Sequence, residues 1–333
     1  MTITDTTTPT LVTLSDIQAA ATRIRGLVVR TPLLPCVWVD PGRPLFLKPE
    51  SLQATGAFKL RGASNALALL DAGQRARGVV AQSSGNHAQA VAYAARRLGI
   101  HATIVMPDTS PEVKLAATRA LGAEVLVVPP AERDAVPLRL VAEYGYTHIP
   151  PYDDARVIAG QGTVGLEIAE DLAEGGGPDL VLVPVSGGGL ISGVATAIKA
   201  LAPSTVVIAV EPELAADTAE SFRTGERVTW PAELTYRTIA DGLRTTSVGV
   251  LPFAHIQKYV DGVVTVTDDE IVEAVGVLGR KSRLVAEPSG AVTTAAYLFH
   301  SAELPTAART VAVVSGGNVD PARYSDWFTE TAG

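Results

Sequence analysis

The stretch Leu180-Val181-Leu182-Val183-Pro184-Val185-Ser186-Gly187-Gly188-Gly189-Leu190-Ile191 decides the fold class. Its Val/Leu-rich first half reads as a strand buried on both faces, the small residues read as a turn, and the apolar run continuing to Leu201 reads as a helix. A strand that ends in such a turn and feeds a helix is the building unit of an α/β fold. Consecutive glycines let the backbone approach an anion closely, and the first amides of the following helix would point at it. The bland alternative is a plain glycine-rich turn. No Gly-Lys-Ser/Thr follows, so this is not the phosphate loop of a nucleoside triphosphatase, and a phosphorylated cofactor fits better.

The same rhythm extends in both directions. Strands are expected at 45–47, 78–81, 102–106, 124–128, 180–185, 205–210, 263–266 and 310–314, and helices at 86–98, 111–121, 163–172, 190–201 and 291–300. The alternation predicts parallel sheets covered by helices. A polar, proline-bearing segment, Ile149-Pro150-Pro151-Tyr152-Asp153-Asp154, separates two groups of strands. We therefore expect a small lobe at residues 74–150, inserted in a larger lobe formed by 1–73 and 151–333. Ligands of open α/β sheets bind beyond the carboxyl ends of strands. Small polar sequences sit at four such ends: Ser83-Ser84-Gly85-Asn86-His87, Ser186-Gly187-Gly188-Gly189-Leu190, Glu211-Pro212 and Ser315-Gly316-Gly317-Asn318.

Composition narrows the function. The 333 residues are 47% hydrophobic and 19% charged, which excludes disorder and suits about two domains. A net charge of −8 lacks the basic field that a nucleic acid requires. The single cysteine, Cys36, cannot form an internal disulfide, and the five histidines show no zinc-binding spacing. The amino terminus lacks the pattern of a signal peptide, and no apolar run approaches the roughly 20 residues of a membrane span. A cytoplasmic protein without membrane or nucleic-acid partners is expected, and, from the short run after Ser315, one without an appended regulatory domain is expected too.

Two further motifs need weighing. Gly160-Gln161-Gly162-Thr163-Val164-Gly165 matches the dinucleotide pattern, but no strand precedes it and no ribose-binding acid follows at the proper distance, which argues against a nicotinamide cofactor. Lys59, in Thr55-Gly56-Ala57-Phe58-Lys59-Leu60-Arg61-Gly62, is either a solvated surface charge or an amine desolvated by Ala57, Phe58 and Leu60. Desolvation favours the neutral amine that Schiff-base chemistry needs. A lysine of that kind together with a phosphate cradle suggests pyridoxal phosphate.

Six motifs, in order along residues 32–320, carry a resemblance: Phe58-Lys59-Leu60-Arg61-Gly62-Ala63, Ser83 to His87, Ala159-Gly160-Gln161-Gly162-Thr163, Ser186 to Leu190, Glu287-Pro288-Ser289-Gly290-Ala291 and Ser315 to Asn318. The chain resembles the serine/threonine dehydratase and serine racemase family of fold-type II pyridoxal-phosphate enzymes, which share the tryptophan synthase beta-like fold. The resemblance implies an α/β fold of two lobes, each a mainly parallel sheet covered by helices. It implies that Lys59 carries the cofactor covalently, that Phe58 lies beside the ring and that Asn86 hydrogen-bonds its phenolic oxygen. Main-chain amides of Ser186, Gly187, Gly188, Gly189 and Leu190 would bind the phosphate, Gly242 would approach the cofactor, and Ser315 would face the pyridine nitrogen. The loop Ser83, Ser84, Gly85, Asn86, His87 would cradle the substrate carboxylate, with Ser84 on the ring face opposite Lys59. A homodimer is usual in the family.

The resemblance further implies a divalent cation, such as Mg²⁺, held by Glu211, the carbonyl of Ala215 and Asp217; the alternative is a solvated acidic helix start. Two departures stand out. Ser186 replaces the glycine that often opens the phosphate loop, and Tyr152 stands where many dehydratases carry phenylalanine and the mammalian-type racemase carries asparagine. Facing a serine, the pyridine is a weaker electron sink than beside an aspartate, which suits rapid loss of a β-leaving group. The expected activity is elimination of the β-hydroxyl of L-threonine or L-serine to a 2-oxo acid and ammonia. The alternatives are amino-acid racemisation using Lys59 and Ser84, and lysis of another β-hydroxy amino acid such as hydroxyaspartate or phenylserine.

Overall fold

A computed structural model describes residues 9–83, 85–110 and 112–329. In chain order it begins with α1 (Leu14–Arg23), the short β1 (Leu34–Pro35), β2 (Leu45–Pro49), α2 (Lys59–Ala68) and α3 (Ala72–Arg77). The chain then builds β3 (Val79–Gln82), α4 (Asn86–Leu98), β4 (Ala102–Pro107), α5 (Glu112–Ala120), β5 (Glu124–Val128), α6 (Ala135–Tyr144) and β6 (Thr147–His148). It returns through α7 (Ala155–Asp171), β7 (Leu180–Pro184), α8 (Gly189–Leu201), β8 (Val206–Pro212), α9 (Asp217–Thr224), α10 (Ala232–Thr235) and α11 (Val250–Tyr259). The last elements are β9 (Gly262–Val266), α12 (Asp268–Val277), α13 (Pro288–Phe299), β10 (Thr310–Val314) and α14 (Pro321–Thr329).

The strands form two sheets, one of order β1-β2-β10-β7-β8-β9 and one of order β5-β4-β3-β6. Every pairing is parallel except β1 with β2. In the larger sheet, Leu180, Leu182, Ile208, Val210, Ala312 and Val314 face one apolar cluster, and Val181, Val183, Val207, Ala209, Val311 and Val313 face the other. That period of two, apolar on both faces, is why these strands read as unbroken hydrophobic runs. The fold is thus the α/β architecture of two mainly parallel, helix-covered sheets. The four-stranded sheet lies within residues 79–148, and the six-stranded sheet draws its strands from both sides of that segment; these are called the small and the large lobe. Helix α2 belongs to both: Leu60, Ala63, Ala66 and Leu67 join the core of the four-stranded sheet, while Arg61 turns into the large lobe.

Arg61 anchors a buried charge network. Its guanidinium donates to both oxygens of Glu50 (2.7 and 2.8 Å) and both of Glu167 (2.6 and 2.8 Å), and Lys48 donates to Glu167 (2.7 Å) and the Thr31 carbonyl (2.6 Å). Two cations face two carboxylates, so charge is balanced in a buried setting. The dinucleotide-like glycines have a packing role. A Cβ on Gly160 would meet the Arg61 carbonyl at 2.6 Å, and one on Gly165 would meet the Val194 carbonyl at 2.7 Å, so they let α7 press on α2 and α8. Among the described residues no helix is long and apolar enough to cross a membrane.

Candidate active site

The carboxyl ends of β10, β7 and β3 and the start of α2 converge. Phe58 N–H donates to the Ser315 carbonyl (3.0 Å), and a bridge joins Ala57 to Gly316, so the end of β10 fixes where α2 starts. Lys59 is half-buried. Its Nζ donates to the Pro151 carbonyl at 2.8 Å and lies 5.2 Å from the centroid of the half-buried Phe58 ring. Desolvation pulls its pKa down to about 8. Roughly a tenth of the amine is then neutral at pH 7, against well under a thousandth for a solvated lysine.

The glycine turn sits behind this lysine. Gly188 adopts φ +89°, a conformation that L side chains disfavour. A Cβ on Gly187 or Gly189 would run into Tyr152, whose ring lies against the turn. Helix α8 makes its first bond from Ser192 N–H to the Gly188 carbonyl (3.0 Å), which leaves the amides of Gly189, Leu190 and Ile191 without intrahelical partners. Ser186 Oγ lies 2.6 Å from Thr245 Oγ1 and accepts from Thr245 N–H (3.2 Å). This serine therefore ties the turn to the Gly242 segment, a role the sequence did not disclose.

A third wall comes from both lobes. Asn86 Nδ2, at the start of α4, donates to Glu287 Oε1 (2.6 Å), and Asn86 Oδ1 accepts from Asn318 Nδ2 (2.7 Å). Burial, and then the charge of Asp241, push the Glu287 carboxyl up to about 8, so it is mainly protonated at neutral pH. Gly242 N–H donates to Ser289 Oγ (2.8 Å), and Ser315 Oγ donates to the Ser289 carbonyl (3.3 Å). In the substrate loop, Gly85 N–H donates to Ser83 Oγ (3.2 Å). His87 Nε2 lies 2.8 Å from the Ile149 carbonyl, which requires a proton on Nε2 and leaves the buried Nδ1 as an acceptor without a partner. Burial pulls the His87 pKa down to about 3, so the ring is neutral. Ser84 lies outside the described residues.

The candidate cation residues lie at the end of β8. Glu211, Ala215 and Asp217 are all fully buried. Glu211 accepts from Thr218 N–H (3.2 Å) and Ala219 N–H (2.9 Å) at the start of α9. Among the described residues neither oxygen of Asp217 has a hydrogen-bond partner. Burial, with the neighbouring Asp217, drives the Glu211 pKa well up, and burial lifts Asp217 to about 7. Among the described residues no group of three or more His, Cys, Asp or Glu side chains converges on a metal position. The donor set is two carboxylates with a backbone carbonyl.

Residues 24–316 match the family described as pyridoxal-phosphate dependent enzyme. The chain belongs to that family. It is 40% identical over 317 residues to L-threo-3-hydroxyaspartate ammonia-lyase of Saccharomyces cerevisiae, covering 94% of this chain and 95% of the relative. It is 44% identical over 317 residues to L-threonine ammonia-lyase of Thermotoga maritima, covering 93% and 76%. The structure of maize serine racemase superposes with a TM-score of 0.89 at 39% identity, covering 95% of this chain and 97% of that one.

The residues of this pyridoxal-phosphate dependent enzyme fit its cofactor. Lys59 offers an amine poised between charged and neutral, the amides ahead of Ser192 offer unpaired donors to a phosphate, and the Ser315 hydroxyl stands at the end of the central strand β10. The orphaned Asp217 carboxyl beside Glu211 likewise fits a hard cation, since a positive ion would favour the ionised form of both carboxyls and supply the partner that Asp217 lacks.

Proposed function

We propose that this enzyme is an ammonia-lyase for small β-hydroxy amino acids, with L-threonine and L-serine as leading substrates. The observation that carries the reading is Lys59, a desolvated amine held on the Pro151 carbonyl beside the Gly187–Gly189 turn. Bound there, pyridoxal phosphate supplies an electron-withdrawing ring that acidifies the substrate α-carbon.

The residues divide the work. Amides at the start of α8, with Ser186 to Leu190, hold the phosphate; Phe58, Asn86, Gly242 and Ser315 frame the ring; Ser83 to His87 hold the substrate carboxylate at the positive end of α4. Tyr152 bounds the pocket on the side of the substrate. Lys59 would act as the general base that takes the α-proton of the bound amino acid. With the cofactor bound, loss of that proton would let the β-hydroxyl leave from the neighbouring carbon, the hydroxyl and one proton departing together as water. The released enamine adds water and loses ammonia, so the net change is amino acid to 2-oxo acid plus ammonia. Glu211, Ala215 and Asp217 would hold a divalent cation such as Mg²⁺ as a structural or activating ion rather than a catalytic one. The enzyme works in the cytoplasm as a homodimer.

A second reading, amino-acid racemisation with Ser84 as proton carrier opposite Lys59, is favoured by the likeness to the maize racemase structure. Assaying L-threonine, L-serine and L-threo-3-hydroxyaspartate for 2-oxo acid, ammonia and enantiomer together separates the two. Equimolar 2-oxo acid and ammonia is the expected result, and D-serine formed without matching pyruvate overturns it.

A further inference from the structure

We propose that Asp153 is a positioning residue that sets Lys59 and Tyr152 by clamping the strap 149–154 to helix α11. The strap is where the chain leaves the four-stranded sheet for α7, and its residues hold different parts of the site. The Ile149 carbonyl orients His87, the Pro151 carbonyl holds Lys59 Nζ, and Tyr152 lies against Gly187 and Gly189. Asp153 itself reaches away from the pocket. Its Oδ2 accepts from Val250 N–H (2.9 Å) and its Oδ1 from Leu251 N–H (3.0 Å).

Helix α11 has Gly249 at its N-cap, which offers no side chain, so Asp153 supplies the cap from a distant part of the chain. A carboxylate accepting two amides at the positive end of a helix is a charge-assisted contact. The same helix start is bonded to the glycine turn: Gly249 N–H donates to the Gly187 carbonyl (3.1 Å). A closed ring results, running from Asp153 through α11 and Gly249 to Gly187, across to Tyr152 and back to Asp153. Asp154 does not share this task, since it caps its own helix at Arg156 N–H (2.7 Å) and pairs with the Arg156 side chain. Without the clamp, strap and turn lose their common register, and the Pro151 carbonyl no longer fixes the amine.

The inference rests on the reading that Lys59 and the glycine turn hold pyridoxal phosphate. The test titrates the apoprotein with pyridoxal phosphate, followed by the visible absorbance of the bound cofactor, for wild type, Asp153→Ala, Asp153→Asn and Asp71→Ala. Asp71 caps the exposed helix α3 through a capping box, so its loss is a purely structural control. Asp153→Ala is expected to weaken cofactor binding about ten-fold, the size of a lost cap expressed as affinity. Asp153→Asn falls between, because an amide oxygen accepts one N–H while its NH₂ repels the other. Asp71→Ala lowers the melting temperature and leaves cofactor affinity unchanged. Wild-type affinity in Asp153→Ala, or an equal loss in Asp71→Ala, overturns the inference. Should the alanine variant fail to fold, the asparagine variant decides: affinity equal to wild type overturns it. If wild type itself binds no cofactor, the underlying reading of the site fails instead.

Discussion

Asn86 Nδ2 donates to Glu287 Oε1 at 2.6 Å, joining the first residue of α4 to the residue that precedes α13. The bond crosses between the two lobes and places a carboxyl that is mainly protonated at neutral pH against the candidate cofactor contact. Because the folded chain raises this carboxyl from 4.5 to about 8, folding takes up a proton in that interval. Stability therefore falls as pH rises from about 4.5 to about 8. Glu287→Gln mimics the protonated acid, so the melting temperature of its apoprotein should decline less steeply over this interval. A slope identical to wild type would show that Glu287 is ionised throughout.

Lys114, on α5, pairs with Asp241 at 3.0 Å, one residue before Gly242. The pair ties the small lobe to the wall of the site, yet both partners are partly exposed, so the tie is worth about 1 kcal/mol at most. Lys114→Met is expected to raise KM for the amino acid up to about five-fold with little change in kcat. The difference from wild type should vanish near 1 M salt, where screening removes such pairs. A KM unaffected at low ionic strength would mean that the pair has no part in holding the wall of the site.

Asp217 gives the cation proposal a direct readout. Adding millimolar Mg²⁺ should raise the melting temperature of the wild-type protein, because an ion that binds only the folded chain stabilises it. Asp217→Asn relieves the repulsion with Glu211, so it should melt higher than wild type without cation and respond little to added Mg²⁺. An unchanged response in Asp217→Asn rules out this carboxylate as a ligand.

Arg61 predicts the largest loss of stability. Arg61→Met leaves Glu50 and Glu167 buried with only Lys48 opposite, and such broken pairs cost about 3–5 kcal/mol. Denaturant unfolding should report a loss of that order, partly recovered by adding Glu50→Gln. A loss below about 1 kcal/mol would mean that water reaches the network.

Much of this architecture was legible in the sequence because it repeats. The parallel strands carry apolar runs; β3, β7 and β10 end in the polar turns that border the site, and β8 ends in the candidate cation residues. What escaped is short or distant. Strands β1 and β6 span two residues each, too few for any period to show. Helix α7 begins at Ala155 rather than near Thr163, because Asp154 caps it and its glycines, which sequence propensity counts against a helix, are compensated by close packing on α2 and α8. The motif residues Lys59, Asn86, Ser186 and Ser315 do border one region. Their holders, the Pro151 carbonyl, Thr245, Ser289 and the protonated Glu287, arise from contacts between distant segments that no local pattern encodes.

The central claim is that a single lysine takes the cofactor aldehyde. Borohydride reduction of the holoenzyme followed by peptide mapping tests it most directly. One pyridoxyl group is expected, on Lys59, and none in Lys59→Ala; a label on another lysine, or no label in the wild-type enzyme, would contradict this.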